Sequence, residues 1–95
     1  MTRVVAIGVL LLAGCVTAPP VQEMSDARQA ISAAEQADAE RVAADTLAEA
    51  RRFLAEAEQQ IQEEAYGPAR MNAVRAKNRA VTALRSTQVR NAGDN

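Results

Sequence analysis

Apolar side chains return along the chain at intervals of three and four residues. Met24, Ala27, Ile31 and Ala34 recur at 3, 4, 3, and Leu47, Ala50, Leu54, Ala57 and Ile61 at 3, 4, 3, 4, with Phe53 widening the second stripe. A third stretch sets an alanine row, Ala69, Ala73, Ala76, Ala80 and Ala83, beside Val74, Val81 and Leu84. This rhythm is that of a helix with one narrow packing seam. It predicts helices over about 23–37, 45–65 and 68–89. Ser25 or Asp26 is placed to cap the first and Asp45 the second. From Ala34 to Leu47 is thirteen residues, one short of two heptads, so the first two seams cannot share a face of one straight helix. A break is expected within Asp38–Ala44. No Gly or Pro marks it, which leaves both a loop and a bent continuous helix open.

The second helix has a written stop, Ala65-Tyr66-Gly67-Pro68. Gly67 suits a left-handed C-terminal position, and Pro68 suits the first turn of the next helix, where a missing N–H costs nothing. A short link between helices of roughly 20 residues, each about 30 Å long, reverses the chain. The expected fold class is all-α: an antiparallel helical hairpin or a small three-helix bundle. Counting outward from the turn, Ile61 should meet Ala73 or Val74, Leu54 should meet Ala80 or Val81, and Leu47 should lie near Leu84 or Thr87. Asn78, beside the third seam, is a candidate register-setting polar residue. The polar tail 91–95 is expected to fray.

Composition explains why function must be sought outside a large core. Alanine supplies 22 of 95 residues, and beyond residue 14 there are fifteen large apolar side chains. Histidine is absent and Cys15 is the single cysteine, which excludes a disulfide within the chain, a Cys/His zinc site and an imidazole base. Glu56 and Glu63 are expected on a solvated face, with Glu58 and Glu64 at seam edges. Ser25, Ser32 and Ser86 have no base at suitable spacing. There is no Asp-x-Asp-x-Asp-Gly calcium loop. The expectation is a non-catalytic protein without a metal or a dissociable cofactor.

The N-terminus reads as an address. Arg3 precedes an apolar run from Val4 to Leu12, too short to span a bilayer but of signal-peptide length. It ends in Leu12-Ala13-Gly14-Cys15, which resembles the lipobox of bacterial lipoproteins. That resemblance implies cleavage before Cys15, a diacylglycerol thioether on its sulfur and an N-acyl chain on its freed amine. Each buried methylene contributes ~0.8 kcal/mol, and two or more chains hold a protein stably on a membrane. In lipoproteins of a two-membrane envelope, Val16 rather than Asp after the cysteine implies delivery to the outer membrane, facing the periplasm; with a single membrane the same signal implies its outer surface. Residues 1–14 are thus expected to be a signal peptide, 15–22 a lipidated cysteine with a stiff tether through Pro19-Pro20, 23–90 the helical domain and 91–95 a disordered tail.

The Asp-Ala-Arg-Gln-Ala-Ile opening from Asp26, the Ala-Glu-Ala repeats and the Leu-Ala-Glu-Ala-Arg-Arg segment from Leu47 resemble the small envelope lipoproteins of the domain of unknown function 4398 type. An acidic–Tyr–Gly-type turn before a third helix completes the likeness. Gly67-Pro68 departs from the Gly-Asp-Tyr-like residues expected at that turn. The resemblance implies an α-helical, periplasm-facing domain and no known activity. The last two helices also resemble one tetratricopeptide-type helix pair, without an internal repeat.

A formal net charge of −1 hides a divided chain. Glu23 to Glu64 holds eleven acids against four arginines, whereas Ala65 to Ala92 holds six bases and no acid. Opposite signs favour antiparallel pairing, and Glu64 with Arg70 and Glu58 with Arg75 are the expected cross-arm pairs. Arg70, Lys77 and Arg85 are expected to flank the seam. Arg75, Arg79 and Arg90 should point outward, where they are candidates for contact with an anionic envelope component or an acidic envelope protein. Nucleic acid is not an expected partner, since there is no aromatic interleaving. The leading expectation is a lipid-anchored structural or adaptor module. The alternative is a homo-oligomer built on its alanine seams, like the coiled coil of murein lipoprotein. That relative ends in a Lys bonded to peptidoglycan, whereas Asn95 stands last here.

Overall fold

The computed structural model of the chain describes residues 18–93. The expected signal peptide, the Leu12-Ala13-Gly14-Cys15 motif, Val16, Thr17 and the last two residues of the expected tail lie outside the described residues. Four helices follow in order: α1 Val21–Gln36, α2 Ala39–Val42, α3 Ala44–Gln62 and α4 Tyr66–Gly93. Arg28 reaches Glu58 and Arg51 reaches Glu35, so α1 and α3 run antiparallel. Gln60 meets Asn72 and Glu49 meets Arg79, so α3 and α4 run antiparallel as well. The three long helices therefore form an up-down-up bundle, with the single turn of α2 as an elbow. Of the two architectures open in the sequence, the three-helix bundle is the one formed.

The helix ends depend on backbone conformation more than on side-chain caps. α1 starts two residues earlier than the spacing predicted, at Val21. Pro20 is its N-cap residue, and the Pro20 carbonyl accepts from the Met24 N–H at 3.0 Å. Pro20 is fully buried, so the stiff segment ends docked on the bundle rather than at residue 22. Ser25 and Asp26 lie inside the helix, not at its cap, and accept hydrogen bonds from Gln29 and Gln22. Asp45 is likewise not the N-cap of α3, a position held by Ala43, but adds its negative charge to the first turn. The expected break is a double one. Asp38 adopts a left-handed φ of 63°, which Asp tolerates better than most residues, and the chain bends again at Ala43.

The turn after α3 corrects the role expected of Gly67. The left-handed residue is Glu64, with φ 62°. The Glu64 N–H donates to the Ile61 carbonyl at 2.9 Å and the Ala65 N–H to the Gln60 carbonyl at 2.8 Å, the paired bonds of a Schellman ending. Gly67 is already inside α4, where Pro68 occupies the first turn as expected. At the other end α4 continues through Asn91 and Ala92 to Gly93, so the expected tail is helical in its described part.

The core is organised around α4. Ala69, Ala73, Ala76, Ala80 and Ala83 are all fully buried, on the face that meets both α1 and α3. With a methyl group as the only side chain, the axes approach closely and dispersion contacts replace bulk. Near the tether end, Met24, Ala57 and Ala73 form one cluster with Ile61 and Leu54. Towards the elbow, Ile31, Ala34, Ala39, Leu47, Ala50, Ala80 and Ala83 form another, with Leu54 and Leu84 against it. Ile61 with Ala73, Leu54 with Ala80 and Leu47 with Leu84 thus share clusters as the count from the turn required.

One arginine ties the elbow down. Arg51 of α3 donates to Glu35 of α1 at 2.8 and 3.1 Å and to Glu40 of α2 at 3.1 Å. The hydrogen bond to Glu35, followed by that to Glu40, holds the Arg51 guanidinium above its ordinary pKa. A cation raised in this way contributes in full at every pH below the ordinary arginine value and loses the contribution only above it, so its own titration adds no pH dependence near neutrality.

Two substitutions test the turn. A Cβ at Gly67 meets nothing within 4 Å, so Gly67→Ala should stabilise the first turn of α4. Glu64→Gly should relieve the left-handed strain. Each is expected to raise stability by about 0.5–1 kcal/mol in urea unfolding, and a loss from either contradicts the turn described. Arg51→Met should lower stability by about 1 kcal/mol, and Glu35→Gln should cost less in that background than alone. Fully additive costs would contradict the tie.

Candidate functional site

Every cation after the turn lies on α4, and the bundle fixes which of them remain available. Arg70 donates from Nε to Glu23 of α1 at 3.3 Å, and Arg79 forms an ion pair with Glu49 of α3 at 3.1 Å. Arg75 donates to the side-chain oxygen of its neighbour Asn72 at 3.1 Å. Lys77, Arg85 and Arg90 are exposed and make no ion pair among the described residues.

This differs from the expected division into seam-flanking and outward groups. That division assumed one seam, between α4 and α3, whereas α4 has two because α1 packs along its other edge. Arg70 and Lys77, seven residues apart, follow the α1 edge; Arg79 follows the α3 edge. Arg79 is therefore a tying residue, while Arg85 joins Arg75 and Arg90 among the cations without a carboxylate partner. The expected cross-arm pairs are replaced for the same reason: Glu58 meets Arg28 of α1 at 3.2 Å in place of Arg75, and Arg70 takes Glu23 in place of Glu64. The signal was present in the sequence, because Glu23, Arg28 and Glu35 each adjoin a seam residue of the first helix.

The buried polar position is Asn72, not Asn78. Asn72 is 5% exposed, and its amide donates to Gln60 of α3 at 2.9 Å while its oxygen accepts from Arg75. It lies three residues after Ala69 and four before Ala76, a spacing that places it on the alanine face. Spacing alone could have found it. Asn78 is exposed, and its backbone carbonyl accepts from Thr82. Thr87, the other buried polar residue, donates to the Leu84 carbonyl at 2.6 Å.

The remaining candidates for chemistry are dispersed. Glu56 and Glu63 are exposed, as is Glu64 in the turn, and among the described residues no three carboxylates come together as a metal site would require. Ser25 and Ser32 accept from glutamines one turn on, and Ser86 donates to the Thr82 carbonyl. Two open grooves lie beside α4. One, of about 550 Å³, runs between α3 and the start of α4 along Phe53, Gln60, Pro68, Met71 and Arg75. The other, of about 470 Å³, lies near the end of α4 along Val42, Thr82, Arg85, Val89 and Arg90. Met71, Val74 and Val89 expose 55%, 42% and 73% of their surface, so the outward side of α4 is apolar and basic together. Among the described residues no helix is long and apolar enough to cross a membrane.

No curated protein and no solved structure matches the chain. The sequence pattern of one family, described as a domain of unknown function (DUF4398), matches residues 22–94, a span that covers all but the first residue of the helical bundle. The bundle is therefore that family's domain, and the chain belongs to the DUF4398 family.

Proposed function

We propose that the protein is a lipid-anchored lipoprotein of the bacterial envelope, held on the periplasmic face of the outer membrane and acting as a non-catalytic structural or adaptor module. One observation carries this reading: the apolar run of signal-peptide length that ends in Leu12-Ala13-Gly14-Cys15, at the only cysteine in the chain. Acyl chains on Cys15 supply the membrane affinity, and Val16 to Pro19 separate it from the bundle. Pro20, buried at the start of α1, is where the chain joins the bundle.

The bundle suits a rigid spacer or adaptor. Its interior is alanine and a few hydrocarbon side chains, and the buried polar residues Asn72 and Thr87 both spend their hydrogen bonds within the chain. Its tertiary ion pairs join α1 to both other long helices. What it offers a partner is a surface: the outward side of α4 with Arg75 and Arg85, and the two grooves beside it, one of which Arg90 lines. An envelope protein or an anionic envelope component would meet it there. In the alternative reading, self-assembly through alanine seams, the α4 row would have to leave α1 and α3 of its own chain. A homo-oligomer would otherwise use other faces.

Radiolabelled palmitate fed to cells making the protein is expected to enter the wild type and to be absent from Cys15→Ser. Equal label in both would overturn the anchor.

A further inference from the structure

α4 is the one helix whose outward side combines uncompensated cations with exposed hydrocarbon. From Tyr66 to Gly93 it holds five arginines, one lysine and no acid. Met71, Val74, Asn78, Arg85 and Val89 follow one another at 3, 4, 7 and 4 residues, which places them on a single strip opposite the alanine face. Arg75 and Lys77 border that strip on its two sides. The acids lie on the other helices: Asp26 on α1 and Asp45, Glu56 and Glu63 on α3 are all at least partly exposed, with Glu56 in the groove that also holds Met71 and Arg75. Net charge is thus positive along α4 and negative along α1 and α3.

We propose that this strip is a second membrane contact, through which the bundle lies flat on an anionic phospholipid surface. The charge on the strip complements phosphate headgroups, and the interleaved Met71, Val74 and Val89 enter the boundary between headgroups and acyl chains as the apolar side of an interfacial helix does. Grooves adjoin the strip at both ends, along Met71 and Arg75 and along Arg85 and Val89, but hydrocarbon and positive charge alternate over its whole length, which a fluid anionic bilayer meets without a fixed complementary shape. α1 and α4 run parallel, so the tether enters at the Met71 end. A chain held at that end swings its whole length onto the surface. This inference takes its bilayer from the proposed anchoring, but it concerns α4 and not Cys15.

The full chain contains no tryptophan, so single tryptophans report their own positions. Met71→Trp and Val89→Trp place the probe on the strip, and Ala48→Trp places it on an exposed position of α3. Each is mixed with vesicles of phosphatidylcholine, with or without phosphatidylglycerol, some carrying brominated acyl chains. The emission of the two α4 probes is expected to shift to the blue and to be quenched by brominated chains only when phosphatidylglycerol is present. The Ala48 probe should not respond. Arg75→Glu with Arg85→Glu should abolish the response, and Arg75→Lys with Arg85→Lys should keep it, with helical circular dichroism unchanged in both. Silence of the α4 probes overturns the proposal, as does an equal response to neutral vesicles or from Ala48→Trp. A blue shift that follows protein concentration without vesicles would assign the strip to a second copy instead. Palmitate on Cys15 with silent α4 probes would reject this contact and keep the anchor; responding probes without palmitate would do the reverse.

Discussion

The close approach of α4 to two helices at once is the constraint on which the rest of the structure depends. Five alanines with no accessible surface line the face that α1 and α3 share, and a larger side chain at any of them would push one neighbour away. A small domain with few large hydrophobics ordinarily struggles to fold. Here close contact takes the place of bulk. The few large residues lie at intervals along the bundle, Met24 and Ile61 near the tether end, Leu54 in the middle, Ile31, Leu47 and Leu84 near the elbow, each in a cluster that alanines complete.

With the apolar seam so narrow, charge decides which helix lies where. α1 contributes Glu23 to α4 and Arg28 and Glu35 to α3, so that its two edges recognise different neighbours. Each exposed pair is weak on its own. Their arrangement matters more than their sum, because a reversed or slipped α1 would set Glu35 or Glu23 beside the wrong sign. Asn72 does the same between α3 and α4. Its hydrogen bond to Gln60 holds only in one register, and a shift of one turn would leave a buried amide unsatisfied. Once these contacts are made, Arg75, Lys77, Arg85 and Arg90 are the cations of α4 left without a carboxylate partner among the described residues.

How much of this the sequence disclosed can be traced residue by residue. The 3–4 spacing located all three long helices and placed Ile61, Leu54 and Leu47 in the clusters they occupy, because a seam position is set by helical geometry alone. The thirteen residues from Ala34 to Leu47 announced a break, though not its form: Asp38 and Ala43 bend the chain with ordinary residues that carry no sequence mark. Gly67 misled for a related reason. Glycine is preferred at a left-handed helix end but not required, and Glu64, three residues earlier, takes the strain because the Schellman bonds to Gln60 and Ile61 hold it there. The cations were misassigned because the seam of α4 was taken to include Val74, Val81 and Leu84; the buried face is the alanine row, which brings Arg79 to Glu49 of α3, while the added neighbour α1 takes Arg70 through Glu23. Asn72 was legible by its spacing from Ala69 and Ala76.

The account therefore stands on α1 being a full member of the bundle and not an appendage to a two-helix hairpin. Native-state amide hydrogen exchange of the intact chain reads this directly. Amides of Ala27 to Ala34 in α1 should be protected to the same opening free energy as those of Ala73 to Ala83 in α4, in one cooperative unit. Exchange of the α1 amides at the rate of a free peptide, while α3 and α4 stay protected, would contradict it.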